Sequence, residues 1–287
     1  MSARRIVPLG LQLLAAGSCS HPAFVTIRGG SLRKTDYPAG LALIRHPEHG
    51  WLLFDTGYSA RFAALTAALP YALYRWLTPV RLREADTALR QLARLGIGPT
   101  EIGTVIVSHF HADHIGALRD FPLARILYPQ AAYEAVRRLG PVRATRAGFL
   151  RGLLPERFER AALPIERCPE AALPPGAPTA TGRDLLGDGS LIAVPLPGHA
   201  AGQIGLLLTT TEGRRCLLCA DAAWSSRALR EDRPPHPAAG LIMDDRAAYR
   251  RTFRALQRWQ TVDPELVIVP SHCPDYYDPT CKEVRRL

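Results

Sequence analysis

Four side chains able to hold a cation crowd into six residues of this chain: His109, His111, Asp113 and His114. Imidazole and carboxylate are borderline-to-hard donors that suit Zn, Fe, Mn or Co. Donors packed this densely on one short segment cannot all reach a single tetrahedral ion. His109 and His111 pointing one way, with Asp113 and His114 pointing another, imply two adjacent metals. Three further donors stand apart: His199 within Pro-Gly-His-Ala-Ala-Gly at 197–202, Asp221, and His272. Glycine on both sides of His199 lets the backbone pass close to a ligand. Asp221 follows an apolar run, where an unpaired carboxylate is costly, and it suits a bridge between two cations. Five His and two Asp leave coordination positions open for water and substrate, as metal-assisted hydrolysis requires.

The elements that must position these residues are also legible. Short apolar runs end on an Asp or a His: 51–54 leads to Asp55, 104–107 to Ser108 and His109, 191–194 to His199, 216–220 to Asp221, and 266–269 to His272. Continuous apolar runs of this length read as strands covered on both faces. Polar groups leaving their ends should converge on one edge of the sheets. Helical spacing covers 84–95, 131–139 and 245–259, and hairpin turns are expected at 187–189 and 212–213. The Pro- and Arg-rich stretch 141–183 reads as a helical cap or insertion within one domain spanning 1–287. No repeat of 20–50 residues recurs. Val-Ile-Val-Ser-His at 105–109 is echoed by Val-Ile-Val-Pro-Ser-His at 267–272, as two similar halves would be.

With 47% hydrophobic and 22% charged residues over 287 positions, the chain is neither disordered, collagen-like nor a coiled coil. Its net charge is +10, and Lys34 and Lys282 are the only lysines among 36 basic residues. No dense basic block or basic-aromatic patch accompanies that charge, so nucleic acid is not the expected partner. An arginine-rich surface around a cationic centre favours neutral or anionic small substrates. The six cysteines are scattered and do not form a disulfide framework. Cys216 and Cys219, three apart on one strand, face opposite ways and read as core thiols. The basic start at 1–5 and the apolar run at 6–15 share features with an export signal. Pro8, Gly10 and Gln12 interrupt that run, which reads instead as a first β-strand, with a cytoplasmic location expected. No other stretch reaches membrane-span length. A homodimer is the expected assembly.

The order His109-x-His111-x-Asp113-His114, then Pro197-Gly198-His199, Asp221 and His272, resembles the metallo-β-lactamase superfamily of binuclear hydrolases. The resemblance covers most of the chain and includes Phe54-Asp55-Thr56-Gly57. It implies an α/β fold, an αββα four-layer sandwich with two divalent metal ions, zinc foremost, at one edge of the packed sheets. It further implies that one metal takes His109, His111 and His199. The other takes Asp113, His114 and His272, while Asp221 bridges them and Asp55 orients a ligand histidine. True β-lactamases lack the bridging aspartate, and flavodiiron proteins carry Glu in place of His111. Glyoxalase II-like thioesterases and phosphodiesterases or tRNA-processing ribonucleases share the ligand set and remain alternatives. The N-acyl homoserine lactonase branch is the most similar, through Gly17-Ser-Cys19-x-His21-Pro22, Arg45-His46-Pro47 and the interval from His199 to Asp221. This implies quorum-quenching opening of a lactone or ester, with Asp113 and Asp221 in catalytic roles. Lactonases of this branch commonly carry Tyr three residues after the bridging Asp, whereas this chain has Trp224. Trp224, with Phe149 and Leu153, is the expected substrate contact.

Overall fold

The computed structural model describes residues 7–278, 280, 281 and 284–287, apart from the side chain of Leu241. The basic start at 1–5 and Lys282 lie outside the described residues. Fourteen strands are found among them: β1 (Gly10–Pro22), β2 (Lys34–His46), β3 (Gly50–Phe54), β4 (Val80–Arg81), β5 (Ile102–Ile106), β6 (Arg125–Tyr128), β7 (Leu163–Pro164), β8 (Glu170–Ala172), β9 (Thr181–Asp184), β10 (Ile192–Pro195), β11 (Ile204–Thr209), β12 (Arg215–Ala220), β13 (Val267–Pro270) and β14 (Arg285–Arg286). One sheet runs β14-β1-β2-β3-β5-β6-β7 with β4 on β1, and the other runs β13-β12-β11-β10-β9-β8.

The strands are apolar on both faces because both faces are covered. Ala42 and Ile44 of β2 and Leu52 and Phe54 of β3 meet Leu206, Cys216, Leu218 and Val269 between the sheets. The alternate residues Leu41, Leu43 and Leu53 pack outward beneath Phe62, Leu92 and Ile115. On the far side Leu217, Cys219 and Ile268 lie under Tyr249, Phe253, Leu256 and Trp259. Each fully buried Leu or Ile is worth about 1.5–3 kcal/mol, so exposing either face of these strands is costly. The result is the expected helix-sheet-sheet-helix sandwich. Cys216 and Cys219 fall in different layers, as their spacing requires.

The helix Arg246–Val262 begins where expected, because Asp245 Oδ1 accepts from the backbone N–H of Ala247 and Ala248 at 2.7 and 2.9 Å. The single helix read over 84–95 is two pieces, a 3-10 turn Glu84–Asp86 and the helix Ala88–Arg94. Thr87 breaks it: its backbone is extended, and its hydroxyl accepts from Arg90 N at 3.4 Å. Over 141–183 the chain makes short helical turns at Pro141–Arg146, Arg151–Leu153 and Phe158–Ala161, then supplies β7 to one sheet and β8 and β9 to the other. No helix of the described residues is long and apolar enough to cross a membrane.

The repeated Ser-His motif has a topological counterpart. Strands β1-β2-β3 form an antiparallel meander, and β5 returns parallel to β3. Strands β10-β11-β12 repeat the meander, and β13 returns parallel to β12. Each returning strand leads into a Ser-His pair, Ser108-His109 or Ser271-His272. One donor loop thus comes from each sheet, facing the other across the sandwich edge.

Candidate metal centre

The seven donors gather into two adjoining sets. Ligand atoms of His109, His111, His199 and Asp221 lie within 4.8 Å of one another, and so do those of Asp113, His114 and His272. Asp221 touches both sets. Its Oδ2 is 3.2 Å from His199 Nε2 and 3.1 Å from His272 Nε2, and its Oδ1 is 3.4 Å from His114 Nε2. His272 Nε2 is also 3.4 Å from Asp113 Oδ2, and His199 Nε2 is 2.9 Å from His111 Nδ1. Donors at about 2 Å from a shared tetrahedral ion stand about 3.3 Å apart, close to these separations.

Hydrogen bonds from behind fix the rings. Asp55 accepts from Ser108 N at 2.8 Å, from Ser108 Oγ at 2.7 Å, and from His114 Nδ1 at 2.7 Å. Ser108 Oγ in turn accepts from His109 Nδ1 at 2.9 Å. The hydroxyl has one proton, spent on Asp55, so His109 carries its proton on Nδ1 and leaves the Nε2 lone pair free. Asp55 likewise holds the Nδ1 proton of His114, which turns Nε2 toward Asp113 and Asp221. His272 Nδ1 donates to the carbonyl of Pro38 on β2 at 2.7 Å. Beside it, Gly40 N donates to Ser271 O at 3.1 Å, and a Cβ at Gly40 would lie 2.5 Å from that oxygen.

The backbone is bent to make this convergence. Asp55 and Ala220, both at strand ends, have φ of 60° and 47°. Such left-handed residues cost about 1–3 kcal/mol each and persist where the surroundings over-determine them. Before His199, Gly198 has φ of 129°, and a Cβ there would fall 2.1 Å from Tyr249 N. No residue with a side chain fits that approach.

Charge sorts the donors. Burial disfavours a charged imidazole and wins for His109 and His199, which fall well below the usual range, and for His111, lowered to about 4. These three are neutral, lone-pair donors at pH 7. Burial also opposes charge on His114 and His272, but Asp113 and Asp221 outweigh it, joined by Asp55 for His114. His114 therefore lies well above the usual range, and His272 rises to about 9. Burial alone would raise Asp221, yet His272, His114 and His199 hold its carboxyl well below the carboxylate range. His109 Nε2, His114 Nε2 and Asp221 Oδ1 are buried without a hydrogen-bond partner among the described residues. Orphaned buried donors of this kind are expensive unless something positive sits between them. The residues therefore fit divalent cations.

Of the expected substrate contacts, Trp224 lies at the centre, its ring 5.7 Å from His199 and its indole N–H buried without a partner among the described residues. Phe149 and Leu153 sit instead in the core, 2% and 0% exposed. Phe149 meets Phe110 ring to ring, because the turn at 151–153 packs inward against sheet one's helices. The apolar wall beside His111 and His199 comes from Phe110, Ala132, Val136 and Leu139, around a cavity of about 340 Å³. Sequence reading quoted Ser108 without a role, and it missed Tyr58 and Tyr74. Burial, then the charge of Asp113, keeps both phenols well above their usual range and neutral. They lie outside the donor motifs, so no spacing marks them.

The model of the family described as metallo-beta-lactamase superfamily matches residues 42–272, which takes in every candidate donor. The chain belongs to that superfamily. Metallo-beta-lactamase superfamily membership makes it a metal-dependent hydrolase. The chain is 27% identical over 249 residues to a "probable metallo-hydrolase" of Mycobacterium tuberculosis, covering 83% of this chain and 77% of the relative. It is also 27% identical over 273 residues to the N-acyl homoserine lactonase AttM of Azorhizobium caulinodans, covering 93% of this chain and 98% of that one. Among solved structures, an N-acyl homoserine lactone hydrolase with N-hexanoyl-L-homoserine at its catalytic metal centre superposes with a TM-score of 0.69. It is 19% identical and covers 94% of this chain and 95% of that one. That likeness establishes the shared fold.

Proposed function

We propose that this hydrolase is binuclear and opens a lactone or ester of the N-acyl homoserine lactone kind. The observation that carries the reading is Asp221, whose two oxygens face donors of both sets at 3.1–3.4 Å. In this reading His109, His111 and His199 hold one cation, Asp113, His114 and His272 hold the other, and Asp221 serves both. Five imidazoles among seven donors favour zinc over harder ions. When bound, two such cations supply hydroxide at neutral pH and polarise the carbonyl that is attacked. The chain's own residues do the rest. Ser108 and Asp55 set the tautomers of His109 and His114. The Trp224 indole N–H donates to the substrate carbonyl oxygen where related lactonases use a phenol. Asp113 takes up the proton that the attacking water gives up and passes it to the leaving alkoxide oxygen. Similarity to AttM over nearly both full lengths supports the substrate class, and the chain is read as one domain over 1–287.

The test is a panel of acyl homoserine lactones, simple lactones, aryl esters, thioesters and aryl phosphodiesters, with metal content measured on the same preparation. Turnover of lactones or esters with about two metals per chain is expected. Strong phosphodiesterase activity with none on carbonyl substrates overturns the reading, and so does a single metal per fully active chain.

A further inference from the structure

The cavity of about 340 Å³ against His111 and His199 falls within the size range of small-molecule sites. Its wall is mixed. Phe110, Ala132, Val136 and Leu139 line it with apolar surface, and Arg143 and Arg146 also line it. Both arginines come from the short helix Pro141–Arg146, and neither guanidinium has a hydrogen-bond or ion-pair partner among the described residues. Other exposed arginines, Arg250 and Arg254 among them, are also without such partners among the described residues; what sets Arg143 and Arg146 apart is that both line the cavity that His111 and His199 close. Asp244 is the one carboxylate of the lining, which leaves the wall with net positive charge before any cation is added. A purely aliphatic acyl chain would use the apolar half of this cavity and leave both forks unused.

We infer that the cavity is an acyl-arm subsite for an anionic substrate: an ester or lactone whose acyl group is a short apolar spacer ending in a carboxylate. The spacer lies along Phe110, Val136 and Leu139. The carboxylate is received by Arg143 and Arg146, whose planar forks match it in bidentate geometry. The inference rests on the carbonyl-hydrolase reading above and adds the chemistry of the arm. It gives the arginine-rich composition a local use: an anion is drawn toward a doubly cationic floor and held at its far end.

Matched substrates test it. The metal-loaded enzyme is assayed on N-hexanoyl and N-(5-carboxypentanoyl) homoserine lactone, and on 4-nitrophenyl hexanoate and mono-4-nitrophenyl adipate. The expected result is that kcat/KM favours the anionic member of a pair by about tenfold, chiefly through KM, with the preference shrinking as salt is raised. In Arg143→Met/Arg146→Met the anionic-to-neutral ratio should collapse toward one. A parent enzyme that prefers the neutral member overturns the inference, and so does a preference surviving in the double variant. Should neither lactone be turned over while the aryl esters are, the lactone reading fails and the arm is still judged on the ester pair. Binding without turnover is read from the thermal shift given by adipamic acid against hexanamide. The acid should stabilise the parent more, and the double variant should lose the difference; equal shifts in parent and variant overturn the subsite.

Discussion

Replacing Ser108 with alanine removes one oxygen atom and three contacts. The hydroxyl is completely buried. It donates to Asp55 at 2.7 Å, accepts from His109 Nδ1 at 2.9 Å, and stands 3.3 Å from His114 Nδ1. Asp55 keeps two donors in the variant, Ser108's own backbone N–H and His114, so its charge stays compensated. His109 Nδ1–H keeps nothing. A buried donor left unpaired costs about 1–3 kcal/mol. The ring can escape that cost by turning or by moving its proton to Nε2, the atom it would offer a cation. Either escape weakens the donor set of His109, His111, His199 and Asp221 more than the set of Asp113, His114 and His272. Loss of a partner behind a ligand histidine costs about 10–100-fold in metal affinity. In a chelator-competition titration with zinc, Ser108→Ala should therefore show one site weakened about 10–100-fold and the other within a few fold. Circular dichroism should report an intact fold. Two zinc affinities both within twofold of the parent would show that the hydroxyl does not set the ring, and would refute the reasoning.

Three further outcomes follow from the same geometry. In the metal-free protein His272 sits at about 9, raised from about 6.5 in an unfolded chain, so its proton stabilises the fold fully below about pH 6.5 and ceases to as pH rises through about 9. A cation in the set of Asp113, His114 and His272 must displace that proton and the one on His114, so affinity should rise by at least about tenfold per pH unit across this window, and a flat titration would count against it. Asp221→Asn keeps the size but removes the charge facing three imidazoles; zinc per chain, read by elemental analysis, should fall by about half or more, and hydrolysis by at least about 10³-fold. Gly198→Ala puts a Cβ 2.1 Å from Tyr249 N in a left-handed residue, so urea unfolding should show a loss of about 3 kcal/mol or more, whereas a loss below about 1 kcal/mol would mean the loop moves freely.

Much of the sandwich could be read from sequence because its strands are short apolar runs that stop on a charged or imidazole side chain. β3, β5, β12 and β13 all lie within a residue or two of such runs. The donor sets were legible for the same reason: a carboxylate or imidazole at the end of a buried strand must answer for its own desolvation. The wall of the cavity was less legible. Phe149 and Leu153 are apolar and near in sequence to the right region, but hydrophobicity does not distinguish a wall from the layer behind it. Only packing against Phe110 decides that they lie behind. The split of 84–95 at Thr87 was hidden because threonine is tolerated within a helical pattern as well as at its cap. Edge strands β7, β8 and β14, two or three residues long, have no periodicity to read.

The contact behind His272 has a consequence for how this site would yield to mutagenesis. Its partner is the main-chain carbonyl of Pro38, an atom every amino acid possesses. Alanine at residue 38 leaves that oxygen in place, so an alanine scan does not report the bond that holds a donor of the opposite sheet. The identity that guards the contact is two residues away. Gly40 must stay bare, because a methyl there would press within 2.5 Å of Ser271 O and 2.7 Å of the Tyr277 ring, forcing β2 away from the loop that carries His272. A tuning screen or a directed-evolution library would thus meet this orienting interaction as an intolerance at a glycine that makes no bond to His272, while no substitution at residue 38 removes the oxygen that does.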